Sequence, residues 1–227
     1  MDFFMAKIEK MSKITAKIKF YDEEIAGRDS FESESLTKRF LENMKNFLYP
    51  AEVDYLAYKM LVEDDVCVMA SMTNYQQAVE KYLRFIKLYF YGKECPKSKQ
   101  GHMYDVIVQD TDLNTVIPDI TRKEFVKICN EFSSWRYLDF NSTVTKDLMK
   151  MNIVLDQFVY EFWKLLCGSR GFVLMYKTCI ISGNPHSFIL PRIYQTNGDL
   201  RKKYLNLLKR DNQYFEKMEE LFKNYKF

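Results

Sequence analysis

The sequence predicts an all-α, or nearly all-α, helical bundle. Three observations carry this. Apolar residues recur at three- and four-residue spacing through most of the chain, which is the period of a helix with one buried face. Only 7 glycines and 5 prolines punctuate 227 residues, too few turn formers for a many-stranded fold. Aromatic residues make up 16% of the chain, a large stock of bulky side chains for packing helix against helix.

Residues 1–34 read as either strand or helix, because KITAKIKFYDEEI fits both periods. From Ser35 the spacing of Leu36, Phe40, Met44 and Phe47 predicts a helix, and Pro50 is expected to end it or to start the next element. Over 51–63, Val53, Leu56, Met60 and Leu61 are expected to form the apolar face of a second helix. The clearest helix spans 65–91. Ala78, Val79, Tyr82, Leu83, Ile86, Tyr89 and Phe90 make one apolar face, Glu80, Lys81, Arg84 and Lys87 lie opposite, and Gly92 stands where a C-terminal cap belongs. A short helix over 103–108 is followed, after Pro118, by a capping-box pattern at Thr121 and Glu124 that opens a helix to Trp135. Leu148, Met151, Leu155, Phe158, Phe162 and Leu165 predict a long helix over 145–167, capped by Gly168. Residues 169–198 change character, with GFVLMYKTCII as a strand or an irregular packed segment. From Asp199 one final amphipathic helix is expected, with Leu200, Tyr204, Leu207, Phe215, Met218 and Phe222 as its stripe.

Charge and cysteine usage bound the function. Lys+Arg total 34 against 31 Asp+Glu, a net charge of +3, smaller than the excess of proteins that hold nucleic acid by bulk electrostatics. The five cysteines, Cys67, Cys95, Cys129, Cys167 and Cys179, contain no C-x-x-C pair, which argues against a zinc ribbon and for free thiols in a reducing, cytoplasmic setting. Cys67, Cys129 and Cys167 lie among apolar residues and read as core filling. No apolar run is long enough for a membrane span, and MDFFMAKIEKMSK lacks the apolar stretch of a signal peptide. No phosphate-cradling or dinucleotide glycine pattern, nucleophile elbow or zinc-protease motif is present, so no cofactor and no metal are expected.

The segment Gln76-Gln-Ala-Val-Glu-Lys-Tyr-Leu-Arg84 is similar to the Q-x-A-x-E-K-x-L-K helix of HEPN domains. Gly101-His-Met-Tyr104 resembles that family's step into its next short helix, and Ser134-Trp-Arg-Tyr-Leu-Asp139 resembles its aromatic-Arg-Tyr stretch, with a last long helix behind it. The likeness covers about Asp54 to Leu166. It implies a HEPN-like bundle over 51–167, with an N-terminal extension over 1–50 and a C-terminal extension over 168–227. The family's ribonucleases carry Arg-x(4–6)-His at a cleft formed across a dimer. Arg136 matches the arginine, but Asn141, Ser142 and Thr143 occupy the histidine's positions, and none of them supplies a general base near neutral pH. The resemblance therefore implies a non-catalytic module that binds a nucleotide, RNA or a protein partner such as a nucleotidyltransferase, in a bacterial or phage defence or toxin–antitoxin setting, and that pairs as a homodimer.

The residues that would line its cleft are Arg136, Glu80, Lys81 and Arg84. Arg136 has two readings: a phosphate clamp, or an arginine stacked on Trp135 and Tyr137 and paired with Asp139 or Glu80. Glu80 and Lys81 read as a partly buried pair or as cleft residues, and Arg84 with Lys87 as a solvated strip or a phosphate rim. His102 is either a helix cap or, with Arg136 and Asn141, part of a non-standard ribonuclease site, the rival to the binding module; a purely structural interaction protein is the third reading. His186 has no metal-ligand neighbour by spacing. The basic runs 201–203 and 209–210 are diluted by Glu216, Glu219 and Glu220 and read as a solvated face.

Overall fold

A computed structural model describes residues 40–62, 68–91, 144–169, 172–173, 189–195 and 199–225. All regular structure among them is helical, as the sequence predicts. The expectations for 1–39, 92–143 and 174–188, with Arg136, His102, Asn141 and His186, fall outside these residues.

Pro50 stands in the first turn of the next element, the second of the two expected readings, but the first helix does not end before it. The chain runs from Phe40 as a continuous rod, widened to a π segment at Met44–Leu48 and resuming as α1 (Tyr49–Leu61). The Tyr49 amide donates to the Met44 carbonyl, five residues back. Proline explains the widening. Pro50 has no N–H for Asn46, and its ring would strike that carbonyl in a regular α-turn. A boundary at residue 50 thus lies inside a helix, and Phe40, Met44 and Leu48 are buried in the same core as the rest.

The next helices are α2 (Val68–Tyr91) and α3 (Val144–Gly168). The expected faces of both are buried: Ala78, Val79, Tyr82, Leu83, Ile86 and Tyr89 on α2, Met151, Leu155, Phe158 and Phe162 on α3. They meet through aromatic contacts, Tyr82 lying 4.5 Å from Phe162 and 5.9 Å from Phe158 between ring centroids. The Tyr89 hydroxyl and Ser169 Oγ are 3.1 Å apart, and Ser169 Oγ accepts the Phe172 amide, closing the end of the bundle. Cys167 is core filling, as expected, and burial pushes its thiol up.

The C-terminal part departs from the expected single helix. It forms α4 (Ile189–Gln195), α5 (Asp199–Lys209) and α6 (Phe215–Tyr225). The break between α5 and α6 is local chemistry. Asp211 takes a left-handed conformation with φ 51°, which aspartate tolerates better than most side chains. The Asn212 side chain then accepts the Tyr214 amide at 2.9 Å, holding the reversal. Arg201 of α5 pairs with Glu219 of α6 at 2.7 Å across the hairpin. Trp163 of α3 and Tyr194 of α4 both pack on Phe222 of α6, at 5.1 and 5.3 Å, so these helices share the core of α1–α3.

Candidate functional site

The described half of the expected cleft is on α2. Lys81 does not pair with Glu80; its ammonium bonds Asp54 of α1, while Glu80 pairs with Arg84 one turn on, at 2.7 Å. The Arg84 guanidinium also lies 6.0 Å from the Phe47 ring. Both cations are therefore matched by a carboxylate at a partly exposed rim. Lys87 does not extend a solvated strip: it is only 6% exposed, so its place is inside the fold.

A more concentrated set of ionisable groups sits on the buried face of α1. Glu52, Tyr55 and Lys59 recur at three- and four-residue spacing and are all buried, so they form one polar stripe inside the bundle. Glu52 reaches the start of α4. Its two carboxyl oxygens accept the Ile189 amide at 2.5 Å and the Leu190 amide at 3.4 Å. These are among the first amides of that helix, which have no intrahelical partner. Burial pushes the Glu52 carboxyl up to about 8, against the pull of the two amides.

Lys59 stands one turn beyond Tyr55 and uses every proton of its ammonium. It donates to Asn152 Oδ1 at 2.8 Å, to Asp156 Oδ2 at 3.0 Å and to the Arg210 carbonyl at 3.4 Å. Tyr55 donates its hydroxyl proton to the other oxygen of Asp156 at 2.7 Å. Burial raises the Asp156 carboxyl to about 6, with Lys59 and Tyr55 pulling it down and Asp211 adding to the rise. Three separate segments are thus tied at one ammonium: α1, α3 and the turn between α5 and α6. An ammonium has three donors, so the network is complete and none of its bonds waits for a ligand. Its chemistry suits cross-linking and register.

Sequence reasoning missed this cluster. Its signal was present: Glu52, Tyr55 and Lys59 on one helical face, and Asn152 and Asp156 four apart within an apolar stripe. The same omission misassigned α1. Val53 and Met60, expected in the core, are 41% and 51% exposed, and Tyr49 is 39% exposed. Of the expected face, Leu56 is buried and Leu61 partly buried, so counting apolar residues mixes the inner and outer faces, because the inner one also carries two ionisable side chains that are satisfied internally.

One turn past Asp156, the α3 stripe reaches the surface at Tyr160. Its ring stacks on Tyr214 at 5.4 Å and 30°. Lys217 Nζ lies 5.0 Å from the Tyr214 ring and 6.0 Å from that of Tyr160, and Lys164 Nζ lies 5.8 Å from Tyr160. Among the described residues no His, Cys, Asp and Glu group is arranged to hold a metal ion, and no helix is long and apolar enough to cross a membrane. No protein-family model, curated protein or solved structure matches this chain.

Proposed function

We propose that the chain is a non-catalytic helical binding module and that its principal ligand is a protein, met through the outer face of α1. The observation that carries this is the exposure of Tyr49, Val53 and Met60 together. They follow at four- and seven-residue steps, so they line one side of the helix, with the partly buried Ala57 between them. The opposite side of a surface helix ordinarily carries charged residues. Here the charges of α1 are turned inward at Glu52 and Lys59, or matched at Asp54 by Lys81. A contiguous apolar strip of this kind marks a contact surface.

A second copy is the partner the sequence of this face supports best. The order Tyr49, Val53, Ala57, Met60 is close to symmetric about residue 55. Two copies crossing antiparallel on a two-fold axis set Tyr49 against the partner's Met60, a favourable sulfur–aromatic contact. They also set Val53 against the partner's Ala57, where a small side chain allows close approach. The strip is about 20 Å long, short beside interfaces that bury about 1,200–2,000 Å², so an exchanging dimer in the micromolar range is expected. Sedimentation velocity from 1 to about 100 µM tests it, a range spanning that expectation. Val53→Arg is expected to leave a folded monomer. A wild type that stays monomeric throughout, or a Val53→Arg variant that still dimerises, refutes the self-association; retention of the isolated wild type by no partner in a pull-down from its native host then leaves the α1 face without a function.

A further inference from the structure

The Tyr160–Tyr214 pair belongs to neither the α1 face nor the Arg-x(4–6)-His pattern, and its construction differs from that of a chance surface contact. Both rings are held from the same buried network. Tyr160 lies one helical turn beyond Asp156, which is fixed by Lys59 and Tyr55. Tyr214 follows the Asn212 turn, whose backbone is tied to that same Lys59 through the Arg210 carbonyl. The buried network therefore sets the relation between the two rings, and the rings themselves stay half-buried at the surface.

Lys164 and Lys217 stand over ring faces, with Glu161 3.3 Å from Lys164 and the exposed Glu216 and Glu220 beside Lys217 in the sequence of α6. Lys209 closes α5 and Arg210 opens the turn that leads to Tyr214, both exposed, with Asp211 3.9 Å from Arg210. An aromatic surface with ammonium groups on its ring faces has the two elements that single-stranded nucleic acids require: a face on which an unpaired base stacks, and cations for the adjoining phosphates. A duplex keeps its bases stacked on one another and offers no free face.

We propose that Tyr160 and Tyr214, with Lys164 and Lys217, form a stacking platform for single-stranded nucleic acid. One base lies on the tyrosine pair, and Lys217 and Lys164 move from the ring faces to the flanking phosphates.

The test is fluorescence anisotropy with the full chain and a labelled 12-nucleotide oligouridine, with oligothymidine and a 12-base-pair duplex in parallel. Two phosphate contacts give a slope of about −1.4 for log affinity against log salt, so raising salt fourfold weakens binding about sevenfold. Tyr214→Ala is expected to weaken binding about 5- to 150-fold, the span measured for loss of one stacked base, while Tyr214→Phe retains it. Lys217→Gln, at an exposed position, flattens the salt slope by about 0.7. Binding by either single strand with these responses supports the platform. No binding at 50 µM protein, equal binding of the duplex, or affinity unchanged in both Tyr214→Ala and Lys217→Gln overturns it. Val53→Arg is expected to leave the affinity as it is, so failure here and failure of the α1 contact are read separately.

Discussion

Lys59→Met breaks the buried network at the group that ties α1, α3 and the α5–α6 turn together. The substitution keeps most of the side chain's length and removes the ammonium. Asn152 and the Arg210 carbonyl each lose their bond to it, and Asp156 keeps only the Tyr55 hydroxyl. Removing one partner of a buried ion pair costs about 3–5 kcal/mol. The cost has a specific pH dependence. In the wild type Asp156 binds its proton up to about pH 6, whereas an unfolded aspartate releases it near 3.9. The folded state therefore holds more protons in that window, and wild-type stability falls as pH rises through it, then levels off. Without Lys59 the carboxyl titrates higher, so the fall continues. The gap between variant and wild type widens by up to about 1.4 kcal/mol per pH unit above 6, until the variant's Asp156 ionises. Urea unfolding followed by far-ultraviolet circular dichroism at pH 5, 6, 7 and 8 measures it. The double variant Lys59→Met with Asp156→Leu is expected to recover most of the loss, since two apolar groups leave no buried charge behind. A loss under about 1 kcal/mol at pH 7, below the range for breaking buried pairs, or a gap that stays flat between pH 6 and 8, refutes the assignment of the network to the core.

Three further outcomes follow from the same physics. Glu52 is raised to about 8, so the stability it contributes is complete at acid pH and is lost as pH rises from about 4.5 through about 8; Glu52→Gln is expected to remove that part of the pH dependence in denaturation curves, and a profile identical to wild type refutes it. Ile86→Ala and Leu155→Ala, at fully buried positions on α2 and α3, are each expected to cost about 2–5 kcal/mol; chemical denaturation giving well under 1 kcal/mol at both means the described core is wrong. The Tyr58 hydroxyl is buried without a hydrogen-bond partner among the described residues, so Tyr58→Phe is expected to be neutral or to raise stability by about 1 kcal/mol, and a loss above that in thermal melts means the hydroxyl is bonded.

The parts of this fold that were legible in the sequence share a physical cause. On α2 and α3 the buried face is apolar and the exposed face polar, so the spacing of Tyr82, Leu83 and Ile86, or of Leu155, Phe158 and Phe162, places each helix correctly. On α1 that correspondence is incomplete: Glu52 and Lys59 are buried beside Ala51, Tyr55, Leu56 and Tyr58, while Val53 and Met60 are exposed. Two ionisable side chains face inward because partners distant in sequence satisfy them: Asp156 lies 97 residues from Lys59, and Ile189 lies 137 residues from Glu52. The spacing of Glu52, Tyr55 and Lys59 puts them on one face, but which distant groups satisfy them is not carried by the local pattern. The α4 helix was hidden for the same reason, since its first amides are accepted by Glu52 from another helix. The α5–α6 reversal was more accessible, because Asp211 and Asn212 are residues that favour turns and no apolar residue stands between Leu208 and Tyr214, yet Leu207 and Phe215 are eight apart, close enough to the helical period for one stripe to be read across the gap.

These differences bear on where function is sought. A residue type chosen for its chemistry alone, such as Lys81 or Arg84, proves to be matched at once by a neighbouring carboxylate, and a ligand there must displace that partner. The exposed strip of α1 is apolar and partly open to solvent, so among the described residues no ion pair there has to be broken before a partner covers it. The tyrosine pair is intermediate: its lysines already rest on the rings, an interaction of about 0.5–1 kcal/mol at an exposed site. For two lysines that is about 1–2 kcal/mol, comparable with about 1–3 kcal/mol for one stacked base, so the new phosphate contacts of the displaced lysines decide the balance. By this ordering the α1 face binds at little internal cost and the tyrosine platform at the cost of moving two lysines, whereas the α2 rim binds only an anion strong enough to separate Lys81 from Asp54 or Arg84 from Glu80. Asp54→Asn is the discriminating variant. It frees Lys81 without removing it, so if the rim serves an anion, affinity for a nucleotide triphosphate rises in the variant; if the pair is purely structural, only the melting temperature moves.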